Sequence, residues 1–381
     1  MEQLGFYGRR AAHQLAEAWR DARKLAAENG LSSLRMLGEL VMLNVTRSIG
    51  LRPYFQYRLF DPALTLQQKR QYLPDTPWAN RRLWSRLTPK RYGCLYANKL
   101  IFNRFFGGLG FPVAKILGVY DRTVGYTMGG QPLKSSADLQ AWLQTVAKDG
   151  FVFKALEGVR GHSILVVSGP DLQDPTAFLT LAGERYDIER IVDFTRATTE
   201  LKQHRRGSNA ESFLIEERIR PHPELATFIG PTLCSVRIQT IIARDGSPRV
   251  IAAVFKLQPE PVGVDHLIYG AVGCWVDQES GRLVRGRTRD SLEDTTVIPG
   301  TQKSFIGFQL PDWPEVKALA LRAAQAFPWA RSIGWDIAMS DRGPVLIEGN
   351  EEWSPSLIQL PAPEGLMTGE FEELYHSLAR R

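Results

Sequence analysis

From residue 151 onward the chain keeps returning to short apolar runs, at 151–156, 163–168, 213–219, 235–242, 250–257, 273–277, 333–339 and 345–348. Runs of this length, bounded by turn formers such as Arg244-Asp245-Gly246 and Asp341-Arg342-Gly343, are strands rather than helices. The pattern predicts helices between them at about 177–195 and 313–326. Strand clusters broken by occasional helices predict an α+β fold with mainly antiparallel sheets. There is no internal repeat and no low-complexity segment.

The first 90 residues have a different character. Leu15, Trp19, Ala22 and Ala26 recur at helical spacing within 8–29, and Leu34, Leu37, Val41 and Val45 do so within 32–48. Both faces are expected to pack against the core or between domains, although docking of this basic layer on a membrane surface is the alternative. Shorter helices are expected at 64–72 and near Leu83. A helix at 98–106, a strand within 111–120 and a helix at 136–148 follow. This suggests a helical region over 1–90 and two α+β units over 91–220 and 221–381.

The formal charge of +6 is spread without long runs of one sign, so nucleic acid is not an expected partner. Three dispersed cysteines without CxxC spacing argue against disulfides and zinc and fit a reducing compartment. The N-terminus lacks a signal-peptide core, and the most apolar early stretch, 34–45, carries Arg35 and Glu39 and is too short to span a bilayer. The expectation is a soluble cytoplasmic protein without a transmembrane segment. A homodimer is left open.

The strongest local signal is GWDIAMSDRGPVLIEGN, 334–350. With Ser340 opposite Pro344 across the turn, Asp336 falls opposite Glu348. Alternation then puts Trp335, Ile337, Val345 and Ile347 on an apolar face, and Asp336, Glu348 and Asn350 on the other. Opposed carboxylates repel. A hard divalent cation, which takes oxygen ligands, gives them a reason to be there, and Gly349 would let a ligand approach.

A second signal lies in FVFKALEGVRGHSILVV, 151–167. Lys154 interrupts an apolar strand, where its ammonium is costly to bury without an anion. Gly158 and Gly161 follow at once, in a strand–loop–strand hairpin whose backbone N–H groups could fold over phosphates. The strand FLIEERI ends in paired acids. Two later apolar strands each carry one basic residue, Arg237 and Lys256.

Taken in order, a lysine before a helix, a lysine–glycine-loop hairpin, an IEE strand end, basic strands and a late D…E-x-N hairpin resemble the ATP-grasp superfamily. FPVAKILGVY, KALEGVRGHS and IGWDIA…GPVLIEGN look like its sugar-transfer-associated branch, related to α-L-glutamate-ligase-like proteins. The resemblance implies two α+β subdomains gripping ATP between antiparallel sheets. It implies that Lys99 and Lys154 contact the α- and β-phosphates and that the loop holding Gly158, Gly161, His162 and Ser163 closes over them. Glu216 and Glu217 would lie at the adenine hinge, with the backbone of Glu217, Arg218 and Ile219 reading the base and Glu224 at the ribose. Arg237 and Lys256 would face the γ-phosphate or an acyl-phosphate. Asp336, Glu348 and Asn350 would hold Mg²⁺, or Mn²⁺ in its place.

Two departures stand out: the chain opens on helices where related ligases open on an α/β domain, and the loop carries Arg160 and His162. The leading reading is an ADP-forming ligase that joins a carboxylate to an amine, on a glycan precursor or an amino acid. Two others are a kinase of a hydroxyl substrate and a nucleotide-binding scaffold in glycan assembly. His266, Gly270 and Gly273 are candidates for an acceptor wall.

Overall fold

The structure is a computed structural model that describes residues 23, 24, 26, 27, 30–157, 163–174, 176–203, 212–289, 291 and 293–379. Of the helix expected over 8–29, only residues 23, 24, 26 and 27 are described, and these are helical. Gly158, Arg160, Gly161 and His162 lie outside the described residues.

Six helices follow from Ser33: α1 (Ser33–Arg47), α2 (Leu51–Gln56), α3 (Leu66–Arg70), α4 (Pro77–Leu87), α5 (Gly93–Ala97) and α6 (Lys99–Gly108). The first sheet contains β1 (Ile116–Tyr120), β2 (Tyr126–Thr127), β3 (Phe151–Ala155), β4 (Ile164–Pro170), β5 (Ala177–Thr180), β6 (Arg185–Asp187) and β7 (Phe213–Glu217). Their spatial order is β2-β1-β7-β3-β4-β5-β6. Helices α7 (Ser136–Val146) and α8 (Ile188–Gln203) cover one face, where Phe151, Phe153, Phe213 and Ile215 pack against Leu139, Leu143, Ile191 and Val192.

After α9 (Pro223–Phe228) comes the second sheet: β8 (Ser235–Ile242), β9 (Pro248–Leu257), β10 (Val272–Val276), β11 (Leu283–Arg287), β12 (Ser332–Ser340) and β13 (Gly343–Asn350). Its order is β11-β10-β9-β8-β12-β13. Helix α10 (Trp313–Ala326) packs on one face through Val316, Leu319, Ala320 and Ala323 against Val236, Ile238, Phe255, Trp335, Ile337 and Leu346. All strand pairs in both sheets are antiparallel, so the expected α+β architecture holds.

Three expectations need correction. The helix expected over 177–195 is instead the hairpin β5–β6 followed by α8, because Gly183 adopts a positive φ of 79° and turns the chain after Thr180. Ser340 pairs with Gly343, not Pro344, yet Asp336 still faces Glu348 because a bulge shifts the register between Asp336 and Ile337. The extra residue in β13 breaks the alternation. Leu346 therefore joins Trp335 and Ile337 in the core, while Val345 and Ile347 pack on the other side with Ala114, Ile219 and Leu233. Third, the stripe Leu34, Leu37, Val41 and Val45 faces solvent; α1 buries Met36 and Leu43 instead.

The far face of the second sheet is partly covered by the N-terminal and C-terminal segments together. Leu73, Leu83 and Leu87 join Trp353, Ile358, Phe371 and Leu374 over Ile241, Ala252 and Val254. Backbone exchange locks this cover: Gln359 Oε1 accepts from Leu73 N–H at 2.8 Å, and its amide donates to Leu73 O at 3.0 Å. Met367 N–H donates to Gln71 O at 2.9 Å. The helices α11 (Pro355–Gln359) and α12 (Gly369–Ala379) carry the C-terminal part.

Candidate functional site

Strand alternation places Arg237, Lys256 and Asp336 on the sheet face opposite α10. Asp336 sits directly across from Arg237 on one side and Glu348 on the other. Each of the three is within 6% of full burial. Arg237 grips the Asp336 carboxylate with both ends of its fork, Nε to Oδ1 at 2.6 Å and a terminal nitrogen to Oδ2 at 2.9 Å. Lys256 Nζ donates to the same Oδ2 at 3.1 Å and to Asp265 Oδ1 at 3.0 Å. Asp265 also takes hydrogen bonds from the Ser235 N–H and hydroxyl at 2.6 Å.

The electrostatics follow from this packing. Burial pushes the Asp336 carboxyl up, but Arg237 and Lys256 more than offset it and hold it well below the usual carboxylate range. Burial likewise disfavours the charged Lys256, and Asp265 with Asp336 reverses that, so its net shift is upward. Each charge is kept by its neighbours. Removing one leaves another stranded in a low-dielectric interior.

The first sheet contributes a matching pair. Lys154 Nζ lies 2.6 Å from Glu216 Oε2, both buried on the face opposite α7 and α8. The anion that Lys154 requires is thus supplied by the neighbouring strand β7. Lys99 begins α6, where Asn98 Oδ1 caps the helix by accepting from the Leu100 and Ile101 N–H groups at 3.1 Å. Its own N–H donates to Leu156 O at 3.0 Å, fixing it beside the end of β3. Burial lowers the Lys99 ammonium, Glu348 pulls it back and Lys154 adds repulsion. Lys99 therefore lies between the charged faces of the two sheets.

Glu348 and Asn350 complete the face. Asn350 Nδ2 donates to Glu348 Oε1 and to Gly334 O, each at 3.2 Å. Gly349 does not open a ligand path, contrary to the sequence expectation. A Cβ there would meet Tyr96 at 2.8 Å, Trp335 at 3.1 Å and Phe102 at 3.2 Å, so the glycine admits aromatic packing on the core side.

The remaining sequence-predicted residues are placed less centrally. Glu217 is committed to structure: its carboxylate accepts from the Lys115 N–H at 3.1 Å and from Arg342 at 2.9 Å, and its N–H donates to Lys115 O. Arg218 is half-buried and reaches Ser168 O at 3.4 Å, while Ile219 packs with Ala114 and Val345. Glu224 is exposed in the first turn of α9, away from the cluster's contacts. Ser163 is buried, its carbonyl accepting from the Ala155 N–H at 3.1 Å. A cavity of about 330 Å³ runs along Arg218, Arg220, Pro221 and Pro223 and includes none of the charge cluster.

Asp265 was missed from sequence. The available signal was an acid in a glycine-bearing loop next to the strand holding Lys256, but only the fold joins them.

Among the described residues, no three His, Cys, Asp or Glu side chains gather as a metal site. The donor set that does exist is Glu348, the Asn350 carboxamide and Asp336. A carboxylate offers about four lone-pair sites, and Asp336 uses three of them on Arg237 and Lys256. One remains. This set fits an ion such as Mg²⁺, which uses one or two carboxylates and draws its other ligands from phosphate and water. It does not fit a metal that needs an all-protein cage.

No helix among the described residues is long and apolar enough to cross a membrane. A search among curated proteins finds no match. Among solved structures, the D-alanine-D-alanine ligase of Coxiella burnetii is similar at 10% identity and a TM-score of 0.38, over 75% of this chain and 59% of that one. A biotin carboxylase of Campylobacter jejuni is similar at 11% identity and 0.41, over 74% and 46%. A RimK domain protein ATP-grasp of Sphaerobacter thermophilus DSM 20745 is similar at 12% identity and 0.34, over 71% and 66%. The chain thus spans about half to two thirds of the length of these proteins. The model of sugar-transfer associated ATP-grasp proteins matches residues 79–373, from α4 into α12, and the chain belongs to that family.

Proposed function

We propose that this chain binds ATP between its two sheets and joins a carboxylate to an amine, with ADP and phosphate as the other products. The observation that carries the proposal is charge set into the two sheets, with Lys154, Glu216, Arg237, Lys256 and Asp336 buried and Lys99, Asp265 and Glu348 half-buried beside them. As four cations and four anions they balance. A polyphosphate entering this array would meet cations already desolvated and held in place, so little reorganisation is needed when charge develops.

In this reading Lys99 and Lys154 hold the α- and β-phosphates, and the loop of Gly158, Gly161, His162 and Ser163 covers them. The Glu217, Arg218 and Ile219 backbone reads the base, and Glu224 reaches the ribose. Glu348, Asn350 and Asp336 would hold Mg²⁺. When bound, that ion neutralises phosphate oxygens and aligns the γ-phosphoryl group. Arg237 and Lys256, anchored by Asp336 and Asp265, stabilise the transferring phosphoryl.

A substrate carboxylate oxygen attacks the γ-phosphorus and ADP leaves. The amine then attacks the acyl carbon of the resulting acyl-phosphate, phosphate leaves and the amine loses a proton. Such chemistry rests on positioning and charge neutralisation rather than on a protein acid or base. The acid or amine is carried on a glycan precursor or an amino acid, a reading supported by the family's association with sugar transfer.

Hydroxylamine trapping tests this. With ATP, Mg²⁺ and a panel of carboxylic acids, including acidic sugars and amino acids, an acyl-phosphate yields a hydroxamate together with ADP. A phosphate ester stable to hydroxylamine would identify a kinase. ATP binding with no ADP formed across the panel would identify a nucleotide-binding scaffold. Either result overturns the ligase reading.

A further inference from the structure

Helix α1 presents an apolar stripe to water. Leu34 is 77% exposed, Leu37 41%, Val41 54% and Val45 79%. They lie at helical spacing on one side, over about 17 Å of helix at 1.5 Å per residue. The opposite side is satisfied: Met36 and Leu43 are buried with Ile49, Tyr54 and Leu59. The stripe is therefore a second apolar face beyond the one that holds the helix in place.

The charges around it have one sign. Between residues 30 and 90 the chain has 10 Lys and Arg against 3 Asp and Glu. Arg35, Arg47, Arg52, Arg70, Arg81, Arg82 and Lys90 are exposed, while Glu39, Asp61 and Asp75 are not. Glu39, the one acid on α1, turns inward. It is held by Lys69 Nζ at 2.7 Å and by the Tyr54 hydroxyl at 2.9 Å. Arg35 and Arg47 flank the stripe on α1 itself, and Arg70 reaches the same helix at Met42 Sδ, 3.9 Å away. Beyond residue 90 the chain carries 32 Lys and Arg against 34 Asp and Glu, so the positive excess belongs to this region.

We propose that α1 docks this chain on an anionic lipid surface, lying in the interface with Leu34, Leu37, Val41 and Val45 in the acyl boundary and Arg35, Arg47 and Arg70 at the headgroups. An apolar stripe between cations, with its only acid neutralised inward, is the composition such a surface selects. A protein partner would also cover apolar side chains but would not require the exposed charges of residues 30–90 to be all positive. A nucleic acid would use the cations and leave the stripe wet.

The test is co-sedimentation of the full chain with vesicles of phosphatidylcholine, and of phosphatidylcholine with phosphatidylglycerol. Binding is expected to the anionic vesicles, at least tenfold weaker to neutral ones, and weakened by salt. A Leu34→Ser/Val45→Ser double variant should lose at least tenfold in vesicle affinity with an unchanged melting temperature. Arg35→Glu/Arg47→Glu should lose as much. Three results would overturn the proposal. One is no binding to anionic vesicles, as when residues 1–22 or a second copy cover the stripe. Another is full binding by the serine variant, which would place attraction on charge elsewhere. The third is a dimer in light scattering that the serine variant dissolves without any vesicle binding.

Discussion

Between the sheets, Arg237, Lys256 and Asp336 are almost sealed from water, whereas on α1 Leu34 and Val45 are almost fully exposed. Both regions invert the usual arrangement of apolar inside and charge outside, but they do so at different cost. Buried charges are tolerated only because each has a partner at hydrogen-bond distance, and the set is rigid as a result. Exposed leucines cost the folded chain little, since they are as wet as in the unfolded state. A protein can therefore lose its surface stripe and keep its fold, while the interior cluster cannot lose one member without disturbing the rest. Both inversions point to something outside the chain: a charged ligand for the one, a surface for the other.

The comparison breaks most visibly at Asp336. Asp336→Ala leaves Arg237 and Lys256 buried without their shared anion, and about 3–5 kcal/mol of stability should be lost in urea unfolding. A loss below about 1 kcal/mol would mean that the cluster is wetter than its burial indicates. Next comes Lys256→Ala, expected to cut turnover by about 10²–10³ in the hydroxylamine assay, with folding checked by circular dichroism.

Gly349→Ala tests the core side of the same hairpin. The added methyl meets Tyr96, Trp335 and Phe102, and overpacking of this kind costs about 1–3 kcal/mol. ATP affinity should change little in the population that remains folded. Wild-type stability with weakened ATP binding would return Gly349 to the ligand side.

A smaller effect depends on pH. Burial pushes the Glu351 carboxyl up to about 7 from an ordinary 4.5, with Glu352 and Glu348 adding to the rise. Between these values the folded chain holds a proton that the unfolded chain has lost, so stability falls as pH rises through the window. Allowing for partial exposure, the total is on the order of 1–2 kcal/mol. Glu351→Gln should remove that slope relative to wild type. The smallest effect belongs to the stripe: Leu34→Ser/Val45→Ser should shift stability by no more than about 0.5 kcal/mol.

The two regions also differ in how much of them could be read from sequence. Lys154 and Lys256 stood out because a charge inside an apolar strand breaks the pattern around it. The structure buries both and shows why they are tolerated, in Glu216 and in Asp265 with Asp336. The opposition of Asp336 and Glu348 was also legible, though by compensation: the turn is one residue tighter than expected, and the bulge restores the pair. Val345 and Ile347 were misassigned for the same reason, since a period of two cannot register an extra residue.

The stripe on α1 was not legible. Apolar residues at helical spacing look the same whether they face a core or a membrane, and α1 carries two such sets. Which one is buried is decided by Tyr54, Leu59 and the Lys69–Glu39 pair, contacts that no local pattern encodes. The hairpin at 177–187 failed for a related reason: its strands are short, and the helix after them extended the periodicity backwards.

The most direct test of the nucleotide site is ATP binding by calorimetry, with and without Mg²⁺, to wild type and to Glu348→Gln. The hydrogen bond that Glu348 Oε1 accepts from Asn350 can also be accepted by a glutamine, so the neutral analogue should fold normally. Mg²⁺ is expected to tighten ATP binding to wild type at least tenfold and to have little effect on the variant. Equal Mg²⁺ dependence in the two proteins, or no ATP binding by wild type, would contradict the assignment of this buried face to a metal-bound nucleotide.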